Sequence, residues 1–214
     1  EIGTRAVAIS RRSEDPRPIG RMLDERSFVN AIVGLHATGG STNHTLHLPA
    51  MAAAAGIELR WDDFADLSKV VPLLARIYPN GSADVNHFRA AGGMGFVMRE
   101  LLTAGLIDAS AATVWGKSLA DYMVVPKLGA HGVKFLLAPE TSLDMDILRP
   151  LSQPHQPNGG IAILSGNLGR AVIKTSAVDA KYHHITAPAA VFDNEADVKT
   201  AFNEGLLNGD FAVV

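Results

Sequence analysis

Five prolines, Pro126, Pro139, Pro150, Pro154 and Pro157, fall between residues 126 and 160. Proline fixes φ, lacks an N–H and breaks a helix interior. No long helix is therefore expected there, and no long periodic apolar segment runs through the stretch. It is the expected join between two parts of the chain.

The part before the join reads as mostly helical. A helix is expected near Ile2–Ser10, before an entry segment holding Pro16 and Pro18. Ser27 to Thr38 follows, with Phe28, Ile32 and Leu35 at i, i+4, i+7. Gly39-Gly40 stops it, and Ser41 or Thr42 suits the cap of a second helix to about Ala55. Ile57–Trp61 alternates like a short strand. Asp62 suits a cap for a helical stretch through Ser68, and Pro72 suits the first turn of another. Asn80-Gly81 is a turn signal. Ser82 or Asp84 opens a helix through Ala91, Gly92-Gly93 breaks it, and Met94–Ala104 is helical again. Thr113–Trp115 reads as a brief strand, with a helix from about Ser118.

The part after the join reads as β-rich. Strands are expected at Ile161–Leu164, Ala171–Val178 and Ile185–Phe192, with a turn at Gly166–Gly169 and a fourth strand from Asp210. Asp193 or Asn194 suits a helix cap before Glu204. The expected fold class is mixed α/β. Residues 1–135 would be mostly helical, 136–158 a linker, and 159–214 the start of a β-rich domain.

The ends look cut. The chain opens on Glu1 without methionine, and Phe211-Ala212-Val213-Val214 reads as a strand just beginning. A fragment of a longer protein is expected, against the alternative of a short edge strand ending a complete domain.

At 214 residues, 47% hydrophobic and 19% charged, the chain has a soluble globular composition, not a disordered one. A net charge of −3 with interspersed signs offers no basic patch, so no nucleic-acid partner is expected. No apolar run reaches about 18 residues, so no membrane span is expected. The chain has no cysteine, which removes disulfides, a thiol nucleophile and thiolate-held metal within these residues.

The stretch from His36 to His44 carries the most chemistry. Two glycines lead into Ser41, Thr42 and Asn43 at a helix start. Free N–H groups and the helix dipole favour an anion there, which suits a phosphate or carboxylate cradle. The same residues also suit a plain helix break followed by an N-cap. His44 and His47 share a face at i, i+3, but a metal needs further ligands and none stands at a diagnostic spacing. Asp62, Asp63 and Asp66 read as a carboxylate cluster or as caps on a solvated face. Asn80 to His87 reads as a sugar-lining segment or a plain loop. Arg170, with Lys174, suits an acid group through its bidentate fork, or decorates a structural hairpin.

Several motifs together carry a resemblance. They are Ala37-Thr38-Gly39-Gly40-Ser41-Thr42-Asn43-His44-Thr45, Trp61-Asp62-Asp63-Phe64, Val70-Val71-Pro72-Leu73, Tyr78-Pro79-Asn80-Gly81 and Gly166-Asn167-Leu168-Gly169-Arg170-Ala171. With them the chain resembles the dihydroxy-acid and sugar-acid dehydratases, a family of iron–sulfur lyases, in order from about Pro18 to Val214. The branched-chain members share Gly-Gly-Ser-Thr-Asn but differ at Asn167-Leu168-Gly169-Arg170, so the likeness favours the branch acting on a phosphorylated sugar acid.

The resemblance implies that this chain is the middle of such an enzyme: the late, helical part of a cluster-bearing N-terminal domain, then the opening of a β-barrel-like C-terminal domain. It implies a 4Fe-4S cluster in the intact enzyme, with its cysteines upstream of Glu1 and the catalytic serine base downstream of Val214. No catalytic or metal residue is thus carried onto this chain, which alone would be inactive. The implied reaction is dehydration of 6-phospho-D-gluconate to 2-dehydro-3-deoxy-6-phosphogluconate, in the Entner–Doudoroff route of gluconate metabolism. In it the cluster acts as Lewis acid on the leaving C3 hydroxyl while the base takes the C2 proton.

The expected substrate-site residues are Gly40, Ser41, Thr42, Asn43 and His44, with Arg170 as a second acid-group contact. The resemblance further implies a cytoplasmic homodimer. Two alternatives stand beside this reading: a dehydratase of another sugar acid or dihydroxy acid, and an autonomous small-anion-binding module.

Overall fold

A computed structural model describes residues 2–214. The described residues through Ala177 form one compact unit and Val178–Val214 a second. The class is mixed α/β, with α-helices and three two-stranded sheets, and no closed barrel among the described residues.

The first unit opens with helices α1 (Ile2–Ala8) and α2 (Ile19–Met22). Helix α3 (Glu25–Thr38) begins where the Asp24 carboxylate accepts the Ser27 N–H at 3.1 Å. Phe28, Ile32 and Leu35 on one side of α3 pack with Leu48, Ala52, Phe64 and Ile161. Val33 and Ala37 face a second core with Val71, Leu74, Phe96, Val97, Leu101 and Leu148. Burying a large apolar side chain stabilises by about 1.5–3 kcal/mol. Its β-branched residues cost only a few tenths of a kcal/mol each in helix propensity, so packing decides that α3 is helical.

Helix α4 (His44–Ala54) carries Pro49 in its interior. Proline has no N–H, so the Thr45 carbonyl four residues earlier loses its helical donor. The indole N–H of Trp61 takes that place at 3.0 Å. Trp61 opens helix α5 (Trp61–Val70), where the Asp63 carboxylate accepts the Arg60 N–H at 2.7 Å. Two expectations fail here. Ile57–Trp61 is not a strand: among the described residues no segment pairs with it, and Trp61 opens α5. No helix follows Pro72: Leu73 and Ala75 instead form isolated antiparallel bridges with Gln156 and Leu148. In this extended arrangement Leu73, Leu74 and Ala75 are all buried.

Helix α6 (Val85–Ala91) is capped by Asp84, which accepts from Asn86 and His87 N–H, and α7 (Gly93–Thr103) follows the Gly92 break. Thr113–Trp115 is not a strand. The Thr113 carbonyl instead accepts from the Arg17 guanidinium at 2.7 Å. From Ser118 the chain makes only a short 3-10 turn, Leu119–Tyr122.

Strands β1 (Val124–Gly129) and β2 (Gly132–Leu137) then form an antiparallel hairpin that the proline pattern concealed. Pro126 is tolerated because a two-stranded ribbon leaves one edge of β1 without a partner to which an N–H would be owed. The next hairpin, β3 (Ala162–Gly166) and β4 (Gly169–Ile173), turns where expected, but β4 stops before Thr175–Ala177, a 3-10 turn.

In the second unit, β5 (Ala189–Ala190) and β6 (Ala212–Val213) pair in parallel, and α8 (Glu195–Asn203), capped by Asn194, lies between them in sequence. The strand expected over Ile185–Phe192 shortens to β5, since Pro188 removes a ladder donor. Among the described residues no helix is long and apolar enough to cross a membrane.

Trp61→Phe should leave the Thr45 carbonyl without its donor and destabilise α4 by about 1–2 kcal/mol. The readout is faster amide hydrogen exchange across α4 in the full-length protein. Adding Pro49→Ala restores a backbone donor to that carbonyl and should recover most of the loss. Unchanged exchange in Trp61→Phe would show that the indole bond carries no stability.

Candidate functional site

Helix α3 ends because Gly39 enters the left-handed region at φ 59°, ψ 43°. Side-chain-bearing residues rarely adopt that conformation. A Cβ there would also collide with the Asn80 amide. The next N–H, of Gly40, returns to the Leu35 carbonyl at 3.0 Å.

Ser41 then sets the entry to α4. Its hydroxyl accepts the Asn43 N–H at 3.2 Å. Its carbonyl accepts from the His44 N–H at 3.1 Å and from the His44 Nδ1–H at 3.0 Å. A carbonyl only accepts, so Nδ1 carries a proton and donates it. Thr45 donates its N–H and its hydroxyl to the Thr42 carbonyl at 2.9 and 2.8 Å. Asn43 stands at the cap position with helical torsions and no side-chain capping bond. Among the described residues, the N–H groups of Ser41 and Thr42 have no protein acceptor. Ser41, Asn43 and His44 are exposed, and Thr42 and Gly40 are half-buried. This turn thus presents two free donors, hydroxyls and a helix N-terminus, a combination suited to an acid group.

Arg170 does not reach this turn. It lies on β4, with Nη2 2.5 Å from Asp62 Oδ1 and its guanidinium 6.0 Å above the Trp61 ring. Trp61 in turn donates to Thr45 of α4, so Arg170 stands one residue removed from the helix that follows the Gly-Gly break. Lys174 does reach it, donating from Nζ to the Gly39 carbonyl at 3.0 Å. Lys174 follows directly after the end of β4 at Ile173, and Val172, two residues after Arg170 on that strand, packs on the core around Phe64. Burial holds the Lys174 ammonium below the ordinary lysine range.

Three contributors were not legible as such. The Asn80 side chain is buried and donates from Nδ2 to the Gly39 carbonyl at 3.0 Å. The Ser176 hydroxyl lies 3.0 Å from Asn80 Oδ1 and 3.1 Å from the Gly160 carbonyl. Gly159 abuts the ring of His36, where a Cβ would come within 2.5 Å of Nδ1. The Gly159-Gly160 pair was the visible signal of that close approach, and Asn80 was visible as a turn residue in a candidate sugar-lining segment, not as a clamp on the Gly39 carbonyl.

Of the acidic cluster, Asp62 pairs with Arg170, Asp63 caps α5 and Asp66 pairs with Lys69 at 2.8 Å. Among the described residues, no group of three or more His, Cys, Asp or Glu side chains is placed to hold a metal.

His36 is fully buried. Its Nε2–H donates to the Phe64 carbonyl at 3.0 Å and its Nδ1 has no partner. Burial pushes its pKa below the usual 6.5. His155 shifts the same way, first by burial and then by the charge of Arg149.

The chain matches two family models: the dihydroxy-acid/6-phosphogluconate dehydratase N-terminal model over residues 1–122 and the C-terminal model over residues 146–214. Among curated relatives, it is 54% identical over 215 residues to the phosphogluconate dehydratase of Rhizobium meliloti, an alignment covering 100% of this chain and 36% of the relative. It is 54% identical over 197 residues to the phosphogluconate dehydratase of Escherichia coli K12, covering 92% and 33%. It is 37% identical over 211 residues to the dihydroxy-acid dehydratase of Natronomonas pharaonis, covering 97% and 34%. The chain therefore spans about a third of the length of the curated relatives it matches. The class defined by these matches is that of the dehydratases, carbon–oxygen lyases that remove water. The chain belongs to the dihydroxy-acid/6-phosphogluconate dehydratase family.

A histidine whose folded pKa is depressed keeps its full stability contribution above the unfolded value of 6.5 and loses it as pH falls toward the folded one. The denaturation midpoint of the full-length protein should therefore fall between about pH 7 and about pH 5. His36→Gln, which keeps a donor for the Phe64 carbonyl and does not titrate, should show a shallower fall. An identical slope in wild type and variant would remove His36 from the account.

Proposed function

We propose that the full-length protein dehydrates 6-phospho-D-gluconate to 2-dehydro-3-deoxy-6-phosphogluconate. The carrying observation is the 54% identity to proteins named phosphogluconate dehydratase, against 37% to one named dihydroxy-acid dehydratase, over alignments spanning most of this chain. The reaction removes the C3 hydroxyl and the C2 proton as water, and the enol product tautomerises to the 2-keto acid. It belongs to the Entner–Doudoroff route and runs in the cytoplasm, in a homodimer.

This chain's part is recognition. Gly40, Ser41, Thr42, Asn43 and His44 border the substrate, the free N–H groups and hydroxyls facing an acid group. Arg170, half-exposed beside Asp62, supplies a second acid-group contact.

The family implies an iron–sulfur cluster, of the 4Fe-4S kind. The residues here do not fit one: the chain has no cysteine, and its described histidines and carboxylates make no ligand group. Cluster, cysteines and base belong to regions outside this chain, and no catalytic step is assigned to these residues.

Steady-state kinetics on the full-length protein tests the reading. It should turn over 6-phosphogluconate in preference to an unphosphorylated dihydroxy acid. Ser41→Ala with Thr42→Ala should raise KM for 6-phosphogluconate roughly five- to hundredfold, from two lost hydrogen bonds at about 0.5–1.5 kcal/mol each. Unchanged KM and kcat would remove this turn from the substrate site. Preference for the dihydroxy acid would reassign the substrate.

A further inference from the structure

The Gly39 carbonyl is held twice, by Asn80 Nδ2 and by Lys174 Nζ, each at 3.0 Å. A carbonyl oxygen has two lone pairs, and both are used. The clamps come from segments far apart in sequence, and the Ser176 hydroxyl ties the Asn80 side chain to the segment after β4 that carries Lys174. Gly160 closes the third side: a Cβ there would come within 3.1 Å of Gly39 Cα.

Lys174 is the informative member. It is half-buried, and none of the ion pairs among the described residues includes it. Withdrawing an ammonium from water for a single neutral carbonyl is a poor exchange on stability grounds alone. What it achieves locally is rigidity. Gly39 and Gly40 are the most freely rotating residues the chain can place before the Ser41–His44 turn. Unpinned, that turn would pay its ordering entropy each time it bound a ligand.

We infer that Lys174 is a positioning residue, fixing the Ser41–His44 turn for the substrate's acid group through the Gly39 carbonyl, with Asn80 as the second clamp. This rests on the reading of that turn as part of the substrate site. Lys174 acts on binding and leaves the chemical step alone.

The test is steady-state kinetics on the full-length enzyme with 6-phosphogluconate, with melting temperature measured alongside. Lys174→Met should raise KM about five- to tenfold, the scale of one ordinary net hydrogen bond felt through the Gly39 carbonyl, with kcat within about twofold. Lys174→Gln, which keeps an N–H for the Gly39 carbonyl, should return KM close to wild type. If the Met variant does not fold, Lys174→Ser, too short to reach, is read in its place.

A wild-type KM in Lys174→Met overturns the inference. So does an equal rise in Met and Gln variants, which would mean the charge touches substrate directly. If Ser41→Ala with Thr42→Ala raises KM while Lys174→Met does not, the positioning role fails and the site reading stands. If neither changes KM, the site reading fails and takes the inference with it.

Discussion

Burial of α3 on two sides is the constraint on which the first unit depends. Phe28, Ile32 and Leu35 enter one core and Val33 and Ala37 the other. A helix fixed on two faces cannot slide or roll without opening a cavity in one core. Its C-terminus is therefore a fixed point, and the Gly39 carbonyl projects from it. His36, buried on the same helix against Gly159, extends the constraint to the segment leading into β3.

The surroundings of that carbonyl follow from how backbone groups must be satisfied. A helix leaves its last carbonyls without partners. Water would ordinarily serve them. Here the burial of Gly39 and Asn80 excludes it, and side chains from distant segments take its place. The same logic recurs in α4, where Pro49 strips Thr45 of its donor and the Trp61 indole supplies one. In both cases a backbone group that local structure cannot satisfy draws a distant side chain to it, and those two demands bring the segments holding Trp61, Asn80 and Lys174 to the two ends of one turn.

Much of the fold was legible where local signals are strong. The helix ending at Gly39, the Asp84 and Asn194 caps, the Gly92-Gly93 break and the Gly166–Gly169 turn are all encoded within a few residues, and the structure has them. The misreadings are places where partners decide. Ile57–Trp61 alternates like a strand but has no neighbour to pair with. Pro72 suits a helix start, yet Leu73 and Ala75 find bridging partners beyond residue 145. The β1–β2 hairpin was hidden because Pro126 argues against a strand, a penalty that a two-stranded ribbon does not incur.

The candidate site divides the same way. The Gly-Gly break and the helix start just after it depend on residues next to one another, so the sequence by itself determined them, although the cap falls at Asn43 and not at the Ser41 or Thr42 the sequence offered. Which cation serves that turn was decided only by tertiary structure. Arg170, on β4, was the acid-group contact expected from the sequence, with Lys174, just past the end of that strand, named only beside it. The Trp61–Asp62 surface engages Arg170, and the Gly39 carbonyl engages Lys174. Both cations follow the Gly166–Gly169 turn within a few residues, but only the packing of this segment against α5 and the end of α3 fixes which partner each meets. Contacts between residues more than a hundred positions apart leave no mark in local sequence, because their energy exists only once the two cores have formed.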